Sequence, residues 1–353
     1  MSASTYDRIA KLPLTVEGYS LEELSFPVTR GFTRVTATVH LRGAGHVGSG
    51  EDVIYEEGDQ RLHLDAGPVH ALEGRHTLEG FSRLLDGIDL FPAGPPEREA
   101  SRHYRRWAYE SAALDLALRQ AGLSLAAALG RTPAPVYFVV SMGLGSPASV
   151  EPVRRWLDRD PDLRFKLDPD ETWTEEVTAA LRATGAVDTI DLKGFYVGTI
   201  VDLAPDPALY AMLAAELPDA WIEDPHLDDA TRTALAGHED RITWDANLES
   251  LADLLALNRA PLAVNITPSR FGTVRELMAV YDHLQAAGIA AYGGGQFELG
   301  VGRGHIQYLA SLFHPGTPND VAPGGYNLAA PPPDLPGRPL PVAAAPTGFR
   351  WES

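Results

Sequence analysis

Cysteine is absent from all 353 residues of the chain. Its absence excludes disulfides, thiolate metal ligands and a cysteine nucleophile, so a metal could be bound only by oxygen or imidazole ligands. The sequence also lacks an apolar run close to the roughly 20 residues that span a bilayer. Its first residues, MSASTYDRIAKLPLT, contain no apolar core of the kind found in signal peptides. We therefore expect a cytoplasmic protein that has no membrane partner.

Positive charge is scarce, with 29 Lys and Arg residues against 48 Asp and Glu residues and a net charge of −19. Repulsion from phosphate groups would slow every encounter with a nucleic acid, so we expect no nucleic-acid partner. A small anionic substrate responds to local cations instead and is not excluded. Hydrophobic residues make up 44% of the chain, which is enough for one large domain and a smaller one.

Residues 1–130 are expected to form an α+β domain. Up to about residue 95, apolar and polar residues alternate in segments such as RVTATVHLRG (34–43), as they do in a sheet with one solvated face. Between residues 98 and 130 the apolar residues recur at helical spacing, and Gly122 suits a helix stop.

Residues 131–327 repeat one pattern, in which short β-rich segments alternate with helical stretches at intervals of roughly 20 to 30 residues. The segments are VYFVVSM (136–142), LRFKL (163–167), VDTIDLKG (187–194), AWIEDP (220–225), RITWDA (241–246), PLAVNIT (261–267) and IAAYGG (289–294). This α/β pattern predicts a (β/α) TIM-type barrel that the N-terminal domain caps. An open doubly wound sheet is the rival, but its usual G-x-G-x-x-G turn is matched poorly by SMGLGSPAS (141–149).

The last segment, residues 328–353, contains too many prolines for a barrel helix. We expect it to wrap the surface as extended chain. We expect no functional residue in it.

Ionisable residues lie near the carboxyl ends of four successive predicted strands. The separation between successive members is about one βα unit, and the four residues are Lys166, Asp191, Glu223 and Asp245. In a (β/α) barrel these strand ends meet at the face where active sites are built. Three carboxylates converging there would repel one another unless a cation joined them, although each alone could be a solvated strand-end residue. We therefore predict that Asp191, Glu223 and Asp245 bind Mg²⁺, with Mn²⁺ as the alternative ion.

Two lysines are candidates for the chemistry. Arg164, Lys166 and Asp168 are spaced by two, so they should point the same way on a strand. Arg164 and a bound cation would then lower the pKa of Lys166 and make it a base near neutral pH, whereas pairing with Asp168 is the structural alternative. Lys193 follows Asp191 by two residues and could grip a substrate carboxylate, act as a second acid or base, or be a surface lysine.

With these positions in place, the sequence resembles the enolase superfamily, and within it the muconate-lactonising-enzyme and mandelate-racemase branches. GSGED (48–52) resembles the G-x-G-E segment of the capping domain, and RFK (164–166) resembles the K-x-K of the second barrel strand. GGGQFELGVGRGHIQYLA (293–310) is similar to the glycine-rich segment near the last strands. The resemblance implies that Lys166 removes a proton next to a Mg²⁺-bound carboxylate through an enediolate. It also implies that Glu298 lies near the substrate carboxylate, with Arg164 in place of the first lysine.

Departures from the family pattern limit which residues could act as a second base. The muconate-lactonising branch carries a lysine before P-S-R on the sixth strand, where this chain has Thr267, and IAAYGG lacks the histidine of mandelate-racemase relatives. Asn265 and Thr267 should share a face and bind a substrate oxygen, but a hydroxyl is no base near neutral pH.

Cap segments 20–34 and 48–58 should close over the site, where Arg30 and Arg34 could meet an anion or lie in a solvated hairpin.

We therefore expect an enzyme acting on a small carboxylate, first of all a Mg²⁺-dependent dehydratase or lyase with one base. An epimerase or cycloisomerase that uses Lys166 and Lys193 is the alternative. A metal-binding barrel without turnover is a third possibility. A homo-oligomer is the usual expectation for such a protein.

Overall fold

The computed structural model describes residues 4–28, 32–196, 203–328 and 332–352. Its N-terminal part contains two small antiparallel sheets, of strand order β2-β3-β4 and β1-β5, which pack against helices. The elements are β1 (Pro13–Val16), β2 (Gly18–Val28), β3 (Phe32–Gly43), β4 (His46–Asp52), α1 (Glu57–Ala66), β5 (Gly74–Thr77), α2 (Leu78–Asp86), α3 (Ser101–Gln120) and α4 (Leu125–Leu129). The α+β character predicted for this region is confirmed.

Two glycines allow α3 to lie directly on β4. A Cβ atom on Gly48 would come within 2.3 Å of the carbonyl oxygen of Ala112, and one on Gly50 within 2.1 Å of that of Ala108. Only glycine fits such a close backbone approach, which gives the GSG part of the GSGED segment a structural reason.

The acidic residue of that segment joins the cap to the rest of the protein. Glu51 is buried, and its Oε2 accepts hydrogen bonds from the backbone N–H groups of Gly300 and Gly302, each at 2.9 Å. These groups belong to the first turn of a helix that follows the last parallel strand, where a carboxylate satisfies otherwise unpaired N–H donors.

The second part of the chain is a series of parallel strands with intervening helices. The elements are β6 (Val140–Gly143), α5 (Glu151–Arg159), β7 (Phe165–Asp168), α6 (Glu175–Thr184), β8 (Val187–Asp191), α7 (Pro207–Glu216), β9 (Trp221–Glu223), α8 (Asp229–Ala234), β10 (Ile242–Thr243), α9 (Leu251–Ala256), β11 (Ala263–Ile266), α10 (Val274–Ala287), β12 (Ala290–Gly293) and α11 (Val301–Phe313). Parallel ladders join β6 to β10 in chain order and join β11 to β12. The predicted parallel (β/α) architecture is confirmed.

Single hydrogen bonds continue this path beyond the ladders. The N–H of Asn265 on β11 donates to the carbonyl of the residue that follows β10, at 2.9 Å. The N–H of Asp320 donates to the carbonyl of Gly293 at the end of β12, at 2.7 Å, and the neighbouring Asn319 forms a parallel bridge with Phe138, just before β6. The hydrogen-bonded path therefore returns to the strand from which it began, with residues 319–320 in the place of an eighth strand.

Residues 332–352 of the proline-rich tail form no helix or strand, only turns, bends and isolated β-bridges, and they do not only cover the surface. Phe349 and Trp351 are buried, and the buried carboxylate of Asp115 on α3 accepts hydrogen bonds from the N–H of Phe349 and the guanidinium of Arg350. The expectation of a surface wrap is therefore corrected, because aromatic side chains at the end of the tail contribute to the core.

Helices in the described ranges, 4–28, 32–196, 203–328 and 332–352, include none with the length and apolar character needed to cross a membrane.

Candidate active site

The structure brings together three of the predicted residues at the carboxyl ends of β7, β8 and β9. The strand register places Asp191 opposite Glu223, and both side chains are buried. The buried ammonium of Lys166 lies between them, 3.0 Å from Asp191 Oδ2 and 2.5 Å from Glu223 Oε1. A third carboxylate, that of Asp320, lies 3.6 Å from the same nitrogen. Sequence reasoning missed Asp320, because its short stretch of chain forms no strand of its own.

Lys193 reaches the same cluster from the loop after β8. Its Nζ contacts Asp191 Oδ2, the oxygen that Lys166 also contacts, and lies 3.3 Å from Asp168 Oδ1. Its backbone has a φ of 54°, which is costly for a residue other than glycine and persists only where the surroundings require it. The two lysines therefore share one oxygen of Asp191 as a partner.

Asp245, the third predicted ligand, is bound by other groups. The buried guanidinium of Arg270 donates from Nε to Oδ1 at 3.1 Å and from Nη2 to Oδ2 at 2.9 Å. The hydroxyl of Thr267 donates to Oδ1 at 3.0 Å, and Asn265 Nδ2 lies 3.4 Å from Glu223 Oε1. Asn265 and Thr267 share a face, as predicted, but their hydrogen bonds go to the carboxylates.

Arg270 and three tyrosines complete the surroundings, and sequence reasoning assigned none of them. Arg270 donates to the hydroxyl of Tyr196 at 2.8 Å and to that of Tyr104 at 3.3 Å, while Tyr292 donates to Glu223 Oε2 at 2.7 Å. The signal for Arg270 was present in the P-S-R segment. That segment forms a short 3₁₀ turn at Pro268–Phe271, which directs the guanidinium back onto Asp245.

Of the two remaining predicted substrate-binding residues, Arg164 is not brought to this cluster, whereas the role of Glu298 stays a prediction. Arg164 precedes β7 and pairs with Asp188 near the start of β8, with Nη2 2.5 Å from Oδ1, so it lies at the opposite end of the strands from Lys166. Glu298 lies beside the cap, where its Oε1 accepts the N–H of Gln296 at 2.7 Å and its Oε2 lies 3.5 Å from Arg303. Spacing by two fixes the side of a strand but not the end at which a side chain emerges.

Arg34 does not offer its charge to an anion. It is fully buried, and its Nη2 donates to the carbonyls of Val53 at 2.6 Å and Gln296 at 2.9 Å. Its guanidinium carbon also lies 4.2 Å from the centre of the Tyr55 ring. Arg34 thus connects the cap to the loop after β12, whereas Arg30 lies outside the described residues.

The carboxylates determine the charge of the lysines. Burial alone would lower the pKa of Lys166, but attraction to Asp191, Glu223 and Asp320 raises it well above the ordinary value for lysine. Burial alone would also lower the pKa of Lys193, but attraction to its two carboxylate partners raises it well above the ordinary value for lysine. Burial raises the pKa of Glu223 to about 8, against the attraction of Lys166. The part of the expectation for Lys166 that rested on Arg164 is corrected, because Arg164 pairs with Asp188. The lowering of the Lys166 pKa by a bound cation stays a prediction.

The donor set fits a hard divalent cation in its chemistry. Carboxylate oxygens are the ligands that Mg²⁺ and Mn²⁺ prefer, and the ammonium of Lys166 contacts Asp191 and Glu223 together, so these two share a position for a cation. Arg270 holds Asp245, and the described part of the chain contains no three acidic or imidazole groups already arranged around one point. Cations of the protein itself therefore occupy the carboxylates in this structure.

Comparison with known proteins places this site in a family. Residues 7–128 and 132–328 match the N-terminal and C-terminal models of a family described as domain of unknown function DUF8230. The chain is 30% identical over 329 residues to an N-succinylamino acid racemase of Thermus thermophilus, covering 89% of this chain and 84% of the relative. It is 25% identical over 264 residues to an o-succinylbenzoate synthase of Geobacillus kaustophilus, covering 71% and 68%.

Solved structures share the fold. A dipeptide epimerase from Enterococcus faecalis V583 superposes with a TM-score of 0.69 at 17% identity, covering 95% of this chain and 99% of the other. A dipeptide epimerase from Methylococcus capsulatus, complexed with a Mg ion, gives a TM-score of 0.65 at 21% identity, covering 90% and 92%. A Listeria innocua protein described as a member of the enolase superfamily gives 0.64 at 20%, covering 88% and 86%. The chain therefore belongs to the enolase superfamily of enzymes, in the family described as domain of unknown function DUF8230.

Proposed function

We propose that the protein is a lyase of the dehydratase type. In this proposal Lys166 removes the proton next to the carboxylate of a small substrate, and a hydroxide leaves the neighbouring carbon. The observation that carries it is the distribution of proton-carrying groups. Lys166 and Lys193 contact the same oxygen of Asp191, while Thr267 presents a hydroxyl on the side of Asp245.

This distribution favours elimination over racemisation. Interconversion of two enantiomers requires one group to take a proton from one face of the substrate and another group to return it to the opposite face. Lys193 lies beside Lys166, so it does not supply a group on the opposite face. The hydroxyl of Thr267 is too weak an acid and base for this role near neutral pH.

The elimination needs one base and one acid on the same side. Neutral Lys166 takes the α-proton, the electron pair of that C–H bond forms the carbon–carbon double bond, and the β carbon–oxygen bond breaks. The departing hydroxide receives a proton from Lys193, or from Lys166 after the first transfer, and leaves as water. Atoms and charge balance, because substrate becomes an unsaturated carboxylate plus water.

The base has to be neutral before the reaction. The carboxylates that now hold the proton on Lys166 would do so less strongly if their charge were offset. A Mg²⁺ or Mn²⁺ ion bound by Asp191, Glu223 and Asp245 would supply that offset and would also stabilise negative charge on the substrate. Removal of divalent ions by a chelator should therefore abolish activity, and added Mg²⁺ should restore it.

Activity on the substrates of the two curated relatives tests the proposal. We expect the purified protein with Mg²⁺ to convert the hydroxy acid that loses water to give o-succinylbenzoate, with the product followed by its absorbance and by NMR. Arg164→Met, which removes a cation at the other end of the strands, should convert it at the wild-type rate. Absence of elimination from this and related β-hydroxy carboxylates would contradict the proposal, as would activity that survives chelation unchanged.

Racemisation is the second candidate, and a specific observation supports it. The relative with 30% identity over 89% of the chain is an N-succinylamino acid racemase. Interconversion of the enantiomers of an N-succinylamino acid by the wild-type protein would favour this candidate. It would also require a proton donor on the Thr267 side, where the hydroxyls of Tyr196 and Tyr104 accept hydrogen bonds from Arg270.

A further inference from the structure

Each lysine of the candidate site has two kinds of carboxylate partner. Lys166 contacts Asp191 and Glu223, which are proposed metal ligands, and also lies 3.6 Å from Asp320, which is not. Lys193 contacts Asp191 and also lies 3.3 Å from Asp168, again not a proposed ligand. Neither Asp320 nor Asp168 has a role toward the cation in the proposed function.

A divalent cation and these ammonium groups compete for the same oxygens. An ion bound to Asp191 Oδ2 and Glu223 Oε1 would meet the ammonium of Lys166 at close range, and repulsion between the two positive charges would be strong in a buried site. Lys166 would have to move without losing a negative partner, because an unpaired buried charge is costly. Its unbranched four-carbon side chain can make a small shift between neighbouring carboxylates.

Asp320 is suited to receive it. The backbone of Asp320 is fixed by its hydrogen bond to the carbonyl of Gly293, and its side chain is 23% exposed, so it keeps contact with water and carries its charge at moderate cost. Asp168 has the matching position for Lys193, as the last residue of β7, opposite Gly143 in the ladder. Each lysine thus has one carboxylate to which it can transfer while remaining in the site.

We propose that Asp320 and Asp168 are positioning residues that receive the ammonium groups of Lys166 and Lys193 when a divalent cation takes Asp191 and Glu223. This inference rests on the metal ligands of the proposed function. Lys166 is then an internal competitor of the cation, and Asp320 relieves that competition without touching the ion.

Binding of Mn²⁺ to the metal-free protein, followed by the electron paramagnetic resonance signal of the free ion, tests the proposal without any turnover. We expect Asp320→Asn to weaken Mn²⁺ binding about tenfold, because Lys166 loses its alternative partner, and Lys166→Met to tighten it about tenfold. In the Lys166→Met background, Asp320→Asn should change binding by no more than about twofold, since no ammonium is left to transfer. An equal loss in both backgrounds would overturn the proposal, as would a Lys166→Met protein that binds no more tightly than wild type.

Asp188→Asn is the matched control. It makes the same change of charge beside a cation, Arg164, at the other end of the strands, and should leave Mn²⁺ affinity within about twofold of wild type. If Asp188→Asn lost as much Mn²⁺ affinity as Asp320→Asn, the effect would come from the change in net charge alone, and the inference would be overturned. Lys166→Gln replaces Lys166→Met in the cycle if the latter does not fold.

The outcome separates this inference from the proposed function. Coupling between Lys166 and Asp320 in Mn²⁺ binding, without elimination of water from any β-hydroxy carboxylate, would contradict the function alone. Elimination by the wild-type protein, together with additive effects of Asp320→Asn and Lys166→Met on Mn²⁺ binding in this double-mutant cycle, would contradict the inference alone. Failure of the wild-type protein to bind Mn²⁺ would overturn both.

Discussion

The two sides of the candidate site present different groups to the same set of carboxylates. On the side of β7 and β8, Lys166 and Lys193 contact Asp191 through flexible amines, whose pKa values the surrounding carboxylates raise against the effect of burial. On the side of β11, Thr267 and the guanidinium of Arg270 hold Asp245 through groups that keep their protons near neutral pH. In the proposed function, the first side transfers protons and the second side holds charge in place.

Under the proposed function, this difference decides which reaction follows the removal of the first proton. The carboxylates that would bind the cation lie on both sides, so the first proton removal needs nothing more than Lys166. The reaction that follows depends on whether the second side can return a proton. With Thr267 there, loss of a leaving group on the lysine side is the outcome that the residues support.

Removal of the amine on the reactive side should have the largest effect. Lys166→Ala should lower kcat for the proposed elimination by about 10³-fold, because a positioned general base typically contributes factors of that size. Steady-state kinetics with the β-hydroxy carboxylate measures it. A loss in kcat of less than about tenfold would show that another group is the base, and the proposed difference between the two sides of the site would fail.

The side of the site with Thr267 and Arg270 should contribute mainly to the stability of the protein. Arg270→Gln should lower the free energy of unfolding by about 3–5 kcal/mol, because it leaves the buried carboxylate of Asp245 without its ion partner. Arg164→Gln removes a more exposed pair and should cost about 1 kcal/mol or less. Urea denaturation of both variants, compared with wild type, measures the contrast. Equal small effects would show that Arg270 does not hold Asp245 in solution.

Lys193 should have an intermediate effect on catalysis. Lys193→Met removes a candidate acid but leaves Lys166 able to serve as both base and acid, so kcat should fall by about tenfold. The relevant measurement is kcat with a poor and a good leaving group on the β carbon. The loss should shrink with the better leaving group, and a loss that is independent of the leaving group would remove Lys193 from the role of acid.

The smallest effect is expected at Thr267. Thr267→Val removes one hydrogen bond to Asp245, while Arg270 continues to pair with both of its oxygens, so kcat should change by less than about threefold and stability by about 1 kcal/mol. Kinetics and denaturation of this variant check both values. A loss comparable to that of Lys166→Ala would show that the hydroxyl takes part in proton transfer and that the two sides are equivalent.

The positions of the strands and of their terminal carboxylates could be predicted from the sequence, because strand ends recur at each βα unit and meet at one face. The partners of those carboxylates could not. Arg270 lies in a short turn whose direction no spacing specifies, and Asp320 lies in an irregular stretch that takes the place of a strand. Arg164 was assigned to the site because alternation gives the side of a strand, whereas its position before β7 decides the end at which it emerges.

The tail shows the same limit on a larger scale. Its proline content argued against a helix, and residues 332–352 form none, but composition carries no information on what such a segment packs against. The buried ring of Phe349 stacks on His305, with ring centres 4.0 Å apart, and its backbone N–H donates to Asp115 on α3, more than two hundred residues earlier in the sequence. Such pairings depend on the tertiary fold and not on local sequence.

Deuterium incorporation into separate enantiomers of an N-succinylamino acid tests one-sided proton transfer most directly. The wild-type protein with Mg²⁺ in D₂O should exchange the α-proton of one enantiomer with retention of configuration, because Lys166 removes the proton and returns a deuteron to the same face. The other enantiomer should remain unlabelled, and neither should convert into the other. Exchange of both enantiomers with interconversion would contradict the account, since it requires a second base on the side of Thr267.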